Sequence, residues 1–383
     1  MFSDLASKYS SECTWQVSTI YLYYYIVVSS FVISQITYMH HQTRVDDGTL
    51  ILKSVKPHKV YIGLTFTFII LWLIASIRDI GTDLEVYRSI YTDSNTNWAE
   101  SYGIEPGYLL LNKVINALGF SEFVGLGIIN LLSYGFIYAT IRLYKNKIDI
   151  GISCLAFCCL YYFQSFDLVR IYLTAAFLLY TSKFLLKKEY LKYAACNAFA
   201  ILFHYSSIAM FMPLGLLWIY NRNKRVFYIC FILVTILMFK AASILSTIPI
   251  FERYQNYTSG GSMDNSIGLM QYLINFPILA LTIYCHKLHI KSNIINIMWV
   301  YCLSSLLIGL LSYKILMLGR VLIYFNIIYL ICIPYALRQI KYKSSVVYPY
   351  IYYGFVVYYF IRFYQYLSGY LVLDGIMPYK TIL

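Results

Sequence analysis

Charge is what this sequence has least of. Only 12% of its 383 residues are Asp, Glu, Lys or Arg, about half the roughly 25% of a soluble domain. Hydrophobic residues make up 60%, and the mean hydropathy is +0.64. This excludes a soluble globular protein and leaves an all-α integral membrane protein. Acids are scarcer than bases, 17 against 30, for a net charge of +13. That balance suggests nucleic acid at first sight, but the bases are scattered between apolar runs, so no nucleic-acid partner is expected. The nine cysteines include no Cys-x-x-Cys, so neither a zinc site nor a disulfide framework is signalled, and thiols packed as small hydrophobes are the default. There is no Gly-x-x-x-x-Gly-Lys-Ser/Thr and no Gly-rich dinucleotide fingerprint. A cytoplasmic nucleotide is therefore not indicated as an energy source, and no cofactor is expected. No internal repeat and no soluble domain interrupt the chain, so residues 1–383 read as one polytopic membrane domain.

A crossing needs about 20 apolar residues. Runs of that kind lie near 18–38, 60–77, 123–141, 150–166, 170–186, 190–220, 226–246, 267–285, 294–312, 321–338 and 346–366. They predict about 10–12 transmembrane helices. The first run does not read as a signal peptide, because acids and one lysine precede it and no small-residue cleavage site follows Tyr38. Alternating the spans groups the intervals 39–59, 142–149, 182–193, 221–226, 286–292 and 338–344, which hold 19 of the 30 Lys and Arg. By the positive-inside rule these face the cytoplasm. Of the acids they contain only Asp46, Asp47, Asp149 and Glu189, so the loops 78–122 and 247–267 fall outside, with both termini.

Two segments do not fit a plain crossing. Lys187 and Lys188 before 190–220, and Arg222, Lys224 and Arg225 after it, put both its ends on one side. Its length of about 31 residues cannot make two crossings at 1.5 Å per residue. A helical hairpin, or two half-depth helices broken near His204-Tyr205-Ser206-Ser207, is expected instead. Residues 105–119 begin Glu105-Pro106-Gly107 and continue with an amphipathic stretch holding Asn112, Lys113 and Asn116, which suits a helix along or dipping into the outer face. Broken helices persist at membrane depth only where protein or a wet cavity surrounds them, so both breaks point to a cavity opening outward.

The stretch Arg78-Asp79-Ile80-Gly81-Thr82-Asp83-Leu84-Glu85-Val86-Tyr87 packs three acids and an arginine directly after an apolar run. Charge at a membrane face is costly and usually functional. Arg-x-x-Gly-Thr-Asp-x-x-x-Tyr after an early transmembrane helix resembles the EpsG branch of the Wzy-type polysaccharide polymerases, membrane glycosyltransferases that join lipid-linked oligosaccharide repeat units. The likeness runs over roughly 60 to 330 and takes in Arg170, Phe203-His204-Tyr205-Ser206 and Arg320-Val321-Leu322-Ile323-Tyr324-Phe325. It implies a GT-C-like architecture and a site facing the periplasm or exterior of a bacterial inner membrane. A growing glycan would pass from an undecaprenyl diphosphate carrier to the acceptor sugar of another lipid-linked repeat, with inversion. Lipid-linked oligosaccharides, membrane lipids and a chain-length regulator are the partners implied.

Such a transfer needs a base for the acceptor hydroxyl and charge to stabilise the departing diphosphate. Arg78, Arg170 and Arg320 lie at the predicted outer ends of spans, and guanidinium groups grip phosphate oxygens in bidentate fashion. The alternative for each is snorkelling or structural pairing, Arg170 with Asp167 for instance. Asp83 and Glu105 are the leading candidates for the base, with His204 as a third. Asp83 is preferred, because it follows the Gly81-Thr82 turn beside Arg78, whereas Glu105 precedes a mobile Pro-Gly break. Asp79 is expected to pair with Arg78, and Glu85 to be solvated. Thr82-Asp83 could also simply cap the helix running to Tyr91. Gly81, Thr82, Tyr87 and Tyr324 are assigned supporting roles, and no residue is assigned to a metal. In the loop 247–267, Phe251, Tyr254 and Tyr257 flank a mobile polar run, Ser259-Gly260-Gly261-Ser262, where their rings suit either sugars or the interface. A ligase of lipid-linked glycans would share the arginines but carry a larger outer loop. A flippase would show paired repeats and midplane charge, for which Lys240 and Lys314 lie nearest, neither with an acidic mate.

Overall fold

The computed structural model describes residues 17–42, 58–96, 103–245, 266–312, 318–369 and 375–382. Among them the regular structure is helical, apart from one isolated antiparallel bridge between Arg78 and Thr381. In chain order the helices are α1 (Val17–Gln42), α2 (His58–Ser76), α3 (Leu84–Thr92), α4 (Pro106–Ala117), α5 (Glu122–Tyr144), α6 (Ile150–Phe157), α7 (Val169–Leu186) and α8 (Tyr190–Ile201). They continue as α9 (Phe211–Arg222), α10 (Lys224–Leu245), α11 (Ser266–Lys287), α12 (Asn293–Ser312), α13 (Leu318–Asn326), α14 (Tyr329–Lys343) and α15 (Tyr348–Gly369). A π turn at Cys158–Tyr162 and a 3-10 turn at Gln164–Phe166 follow α6, and a second 3-10 turn at Tyr205–Met210 precedes α9.

The chain divides into two compact units. The first comprises 1–180, 202–204 and 344–383, the second 181–201 and 205–343. In the first, α1 packs on α2 and α6, α2 on α5, and α15 on α6 and the π turn. Its core is aromatic. Phe157 stacks on Phe68 at 5.6 Å and meets Tyr134 edge-on at 5.7 Å, while Phe163 stacks on Phe363 at 5.4 Å. Buried tyrosines need a partner for the hydroxyl. Tyr162 donates to the Leu71 carbonyl at 2.8 Å, and Tyr134 shares a 2.7 Å hydrogen bond with Ser165. The second unit is built around α12, which packs against α9, α10, α11, α13 and α14 and is buried along most of its length. The Asn293 amide donates to the Leu185 and Leu186 carbonyls, satisfying acceptors that the last turn of α7 leaves open.

Every apolar run read from the sequence coincides with helix. The hairpin expected over 190–220 is two helices of 12 residues each, about 18 Å apiece at 1.5 Å per residue, against a hydrocarbon core of about 30 Å. Its break falls at Leu202–His204, just ahead of the expected place, and the following residues form the 3-10 turn. By length and composition four described helices can cross a bilayer, Val17–Ile36, Glu122–Tyr144, Val169–Leu186 and Asn293–Ser312. The α13–α14 pair, bent by 42°, is a fifth. Of the other helices, α6 is cut short by the π turn, and α15 is rich in tyrosine, which lowers its hydropathy. The chain is thus an all-α membrane protein whose described residues include four or five long spans, with Ile62–Ser76 and Ile150–Tyr162 as shorter apolar helices.

Candidate functional site

The site lies in the first unit and starts at the N-terminus of α4. Glu105 occupies the N-cap with extended backbone, and Pro106 follows at the first helical position, where its fixed φ suits the start of a helix and its missing N–H costs nothing. The next two N–H groups have no acceptor within α4. They find one in the break after α8: Gly107 and Tyr108 donate to the Leu202 carbonyl at 2.7 and 3.3 Å. Only glycine allows this approach, since a Cβ at position 107 would sit 2.8 Å from that oxygen. The Pro-Gly element expected to move is therefore a docking point.

The same contact delivers His204. Its Nδ1 lies 2.6 Å from Glu105 Oε1, and an Arg170 terminal nitrogen donates to Glu105 Oε2, also at 2.6 Å. Glu105 is buried, with 4% of its side chain exposed, whereas Arg170 and His204 keep 24% and 19%. Burial pushes the Glu105 carboxyl upward, but the His204 hydrogen bond and the Arg170 charge outweigh it and hold the group below its usual range. An ionised Glu105 accepts from Nδ1–H, so a neutral His204 carries its lone pair on Nε2. The guanidinium of Arg170 is flanked by the Tyr87 and Tyr108 rings at 6.0 and 5.9 Å, and its buried Nε has no hydrogen-bond partner. The Nε groups of Arg78, Arg88 and Arg362 are in the same state.

Tyr87 ties this cluster to the Gly-Thr-Asp turn. It is buried on the inner face of α3 with Leu84, Ile90 and Tyr91, packed on Tyr108 and Leu109 of α4 and Leu126 and Ile129 of α5. Burial raises its phenol well above the ordinary value; the charge of Arg170 opposes that shift, while Asp83 and Asp167 add to it. Asp167 organises the turn: its Oδ1 accepts from Thr82 Oγ1 at 2.6 Å and from the Asp83 N–H at 2.9 Å. Gly81 holds φ +123, a conformation suited to glycine.

Arg78 is placed differently from Arg170. It is 3% exposed, donates to the Ala75 and Phe166 carbonyls, the second at 2.9 Å, and lies 4.8 Å over the Phe166 ring. Among the described residues it has no carboxylate partner. One pairing expected from the sequence is corrected. Asp79 binds Arg88 at 2.6 Å instead of Arg78, because Arg88 projects from the solvent side of α3, where it also meets the exposed Glu85 at 2.5 Å and Glu122 at 3.7 Å. Arg170 pairs with Glu105, and the Asp167 carboxylate is engaged by the turn. Asp83 does stand at the N-cap of α3, but its side chain makes no capping hydrogen bond.

The first unit therefore brings together Arg78, Gly81, Thr82, Asp83, Tyr87, Glu105, Arg170 and His204. Arg320, exposed on α13, and Tyr324, buried there, belong to the second unit. Lys240 is exposed on α10. Lys314 and the polar run of the 247–267 loop lie outside the described residues, and among those described no three His, Cys, Asp or Glu are grouped to hold a metal ion. Sequence reasoning missed Asp167 as the organiser of the turn and Leu202 as the cap of α4. It also missed the segment 375–382, whose Asp374-Gly375 dipeptide was the available signal.

The family model described as EpsG family matches residues 61–381. No curated protein and no solved structure matches the chain.

Proposed function

The chain belongs to the EpsG family, whose members are Wzy-type polymerases, and on that premise we propose that it polymerises a bacterial surface polysaccharide from lipid-linked repeat units at the outer face of the cytoplasmic membrane. The observation that carries the reading is the buried carboxylate of Glu105 with Arg170 on one oxygen and His204 on the other. In this proposal His204 Nε2 takes the proton of the acceptor hydroxyl while that oxygen attacks the anomeric carbon. The bond from this carbon to the undecaprenyl diphosphate breaks, and the diphosphate leaves as an anion, so no general acid is needed. A single displacement inverts the anomeric configuration. Glu105 holds the imidazole in the required tautomer, as a buried carboxylate does in hydrolase triads. Arg170, with about a quarter of its side chain exposed, binds the diphosphate. Asp83 and Thr82 orient the acceptor. Arg78, with two donors committed to carbonyls, latches the motif instead of gripping phosphate.

Purified protein given lipid-linked repeat units should convert them to a ladder of longer lipid-linked glycans. In a deletion strain the surface polysaccharide should shrink to single capped repeats. Loss of all surface glycan, with no ladder in vitro, would identify a ligase instead.

A further inference from the structure

We propose that the segment Gly375–Ile382 is a positioning strap for the Gly81-Thr82-Asp83 turn, which on the reading above borders the reacting sugars. The strap runs antiparallel to the stretch after α2. Asp79 N–H donates to the Lys380 carbonyl at 2.8 Å, Gly81 N–H to the Gly375 carbonyl at 3.1 Å, and Ile382 N–H to the Ile77 carbonyl at 3.0 Å. Its other side is moored to the helices. Tyr379 donates its hydroxyl to the Ile74 carbonyl at 2.7 Å and its N–H to Thr19 Oγ1 at 3.1 Å, and Tyr23 donates to the Ile376 carbonyl. Ile376 and Met377 are buried to within 1%. The turn itself is therefore held from two sides, by Asp167 on one and by the strap on the other.

Contact is closest at Gly375. Its φ is +63, and a Cβ there would meet Thr82 Cγ2 at 3.0 Å and Thr82 N at 3.2 Å. Any side chain at 375 pushes directly on the residue whose hydroxyl Asp167 holds. Asparagine tolerates this backbone region better than other residues, so Gly375→Asn tests the contact with little added strain. A displacement near 1 Å at a reacting group costs on the order of a hundredfold in rate.

The test uses the full chain in lipid nanodiscs with lipid-linked repeat units. Gly375→Asn should lower kcat by about ten- to a hundredfold with KM changed less than about threefold. Thr82→Ser removes the methyl group and keeps the hydroxyl. Adding it to Gly375→Asn should restore much of that loss, measured against Thr82→Ser alone. Ile382→Pro, which deletes one strap donor, should raise amide hydrogen exchange across 77–83 while helices α5 and α6 exchange as in wild type. Wild-type kcat in Gly375→Asn, or no recovery on adding Thr82→Ser, overturns the strap. A wild-type chain that extends no substrate overturns the polymerase reading instead. Exchange then decides the strap: unchanged protection of 77–83 in both Gly375→Asn and Ile382→Pro refutes it, and lost protection supports it.

Discussion

Replacing Glu105 by Gln changes almost no volume but alters both hydrogen bonds that define the site. The amide oxygen can still accept from Arg170. The amide nitrogen, now 2.6 Å from His204 Nδ1 in place of Oε1, is a donor, so the imidazole must present a lone pair there and carry its proton on Nε2. A ring in that tautomer cannot take the acceptor's proton. General-base catalysis is worth about two to four orders of magnitude, or roughly 3–5 kcal/mol of barrier at 1.36 kcal/mol per tenfold, so kcat should fall by that factor. The variant also leaves the Arg170 charge without its counter-ion. Breaking a fully buried pair costs about 3–5 kcal/mol; with a quarter of Arg170 exposed, the loss should be smaller, on the order of 1–3 kcal/mol. The assay is elongation of lipid-linked repeats, run beside a melting curve in detergent. Glu105→Asp keeps the acceptors and should retain more activity than Glu105→Gln. Elongation by Glu105→Gln within about threefold of wild type, with Asp83→Asn inert, would return the role of base to Asp83 and refute the dyad.

Five further outcomes are expected. Arg170→Lys, which keeps charge but loses the planar fork, should reduce polymer strongly with protein still in the membrane. Arg78→Lys should instead lower protein yield and melting temperature, since each charged hydrogen bond lost is worth about 1.5–3 kcal/mol; an unchanged Arg78→Lys melt would contradict the latch. Gly107→Ala should lose activity and stability together, because its Cβ would fall 2.8 Å from a backbone oxygen that cannot swing away. Because the folded Glu105 carboxyl titrates below its ordinary value near 4.3, its stabilisation is complete above that value and is lost as pH falls through the lowered folded value. The melting-temperature gap between wild type and Glu105→Gln should therefore close in strong acid. Outside-only reporters fused after residue 95 should be active and those after 145, 223 or 341 silent; activity at 223 would overturn the hairpin.

Hydropathy made the helices legible, and length against basic flanks made the 190–220 break legible, because both are local properties of the chain. The residues Glu105, His204, Arg170 and Asp83 were legible as candidates, since polar groups at the ends of apolar runs stand out. Their partners were not. Asp79 follows Arg78 in sequence, yet the turn at Gly81 sends Asp79 outward to Arg88 while Arg78 goes into the core. Asp167 sits three residues before Arg170, one helical turn away, but α7 starts only at Val169, so helical spacing does not govern that pair. The strap escaped notice because its bonds to the motif are made by backbone groups, which every residue but proline carries alike.

The cap that Leu202 supplies to α4 has a consequence for biosynthesis. When Tyr108 has been made and α4 could begin, the carbonyl that completes its first turn is still to be translated. At 5–20 residues per second, on the order of ten seconds pass before Leu202 is added. During that interval two N–H groups depend on water or headgroups, which favours a nascent α4 lying at the membrane surface over one inserted early. His204 arrives with Leu202, so the hairpin that finishes the helix also brings the imidazole to its carboxylate. A ribosome stalled before residue 202 thus holds a chain with its motif translated and its chemistry unassembled.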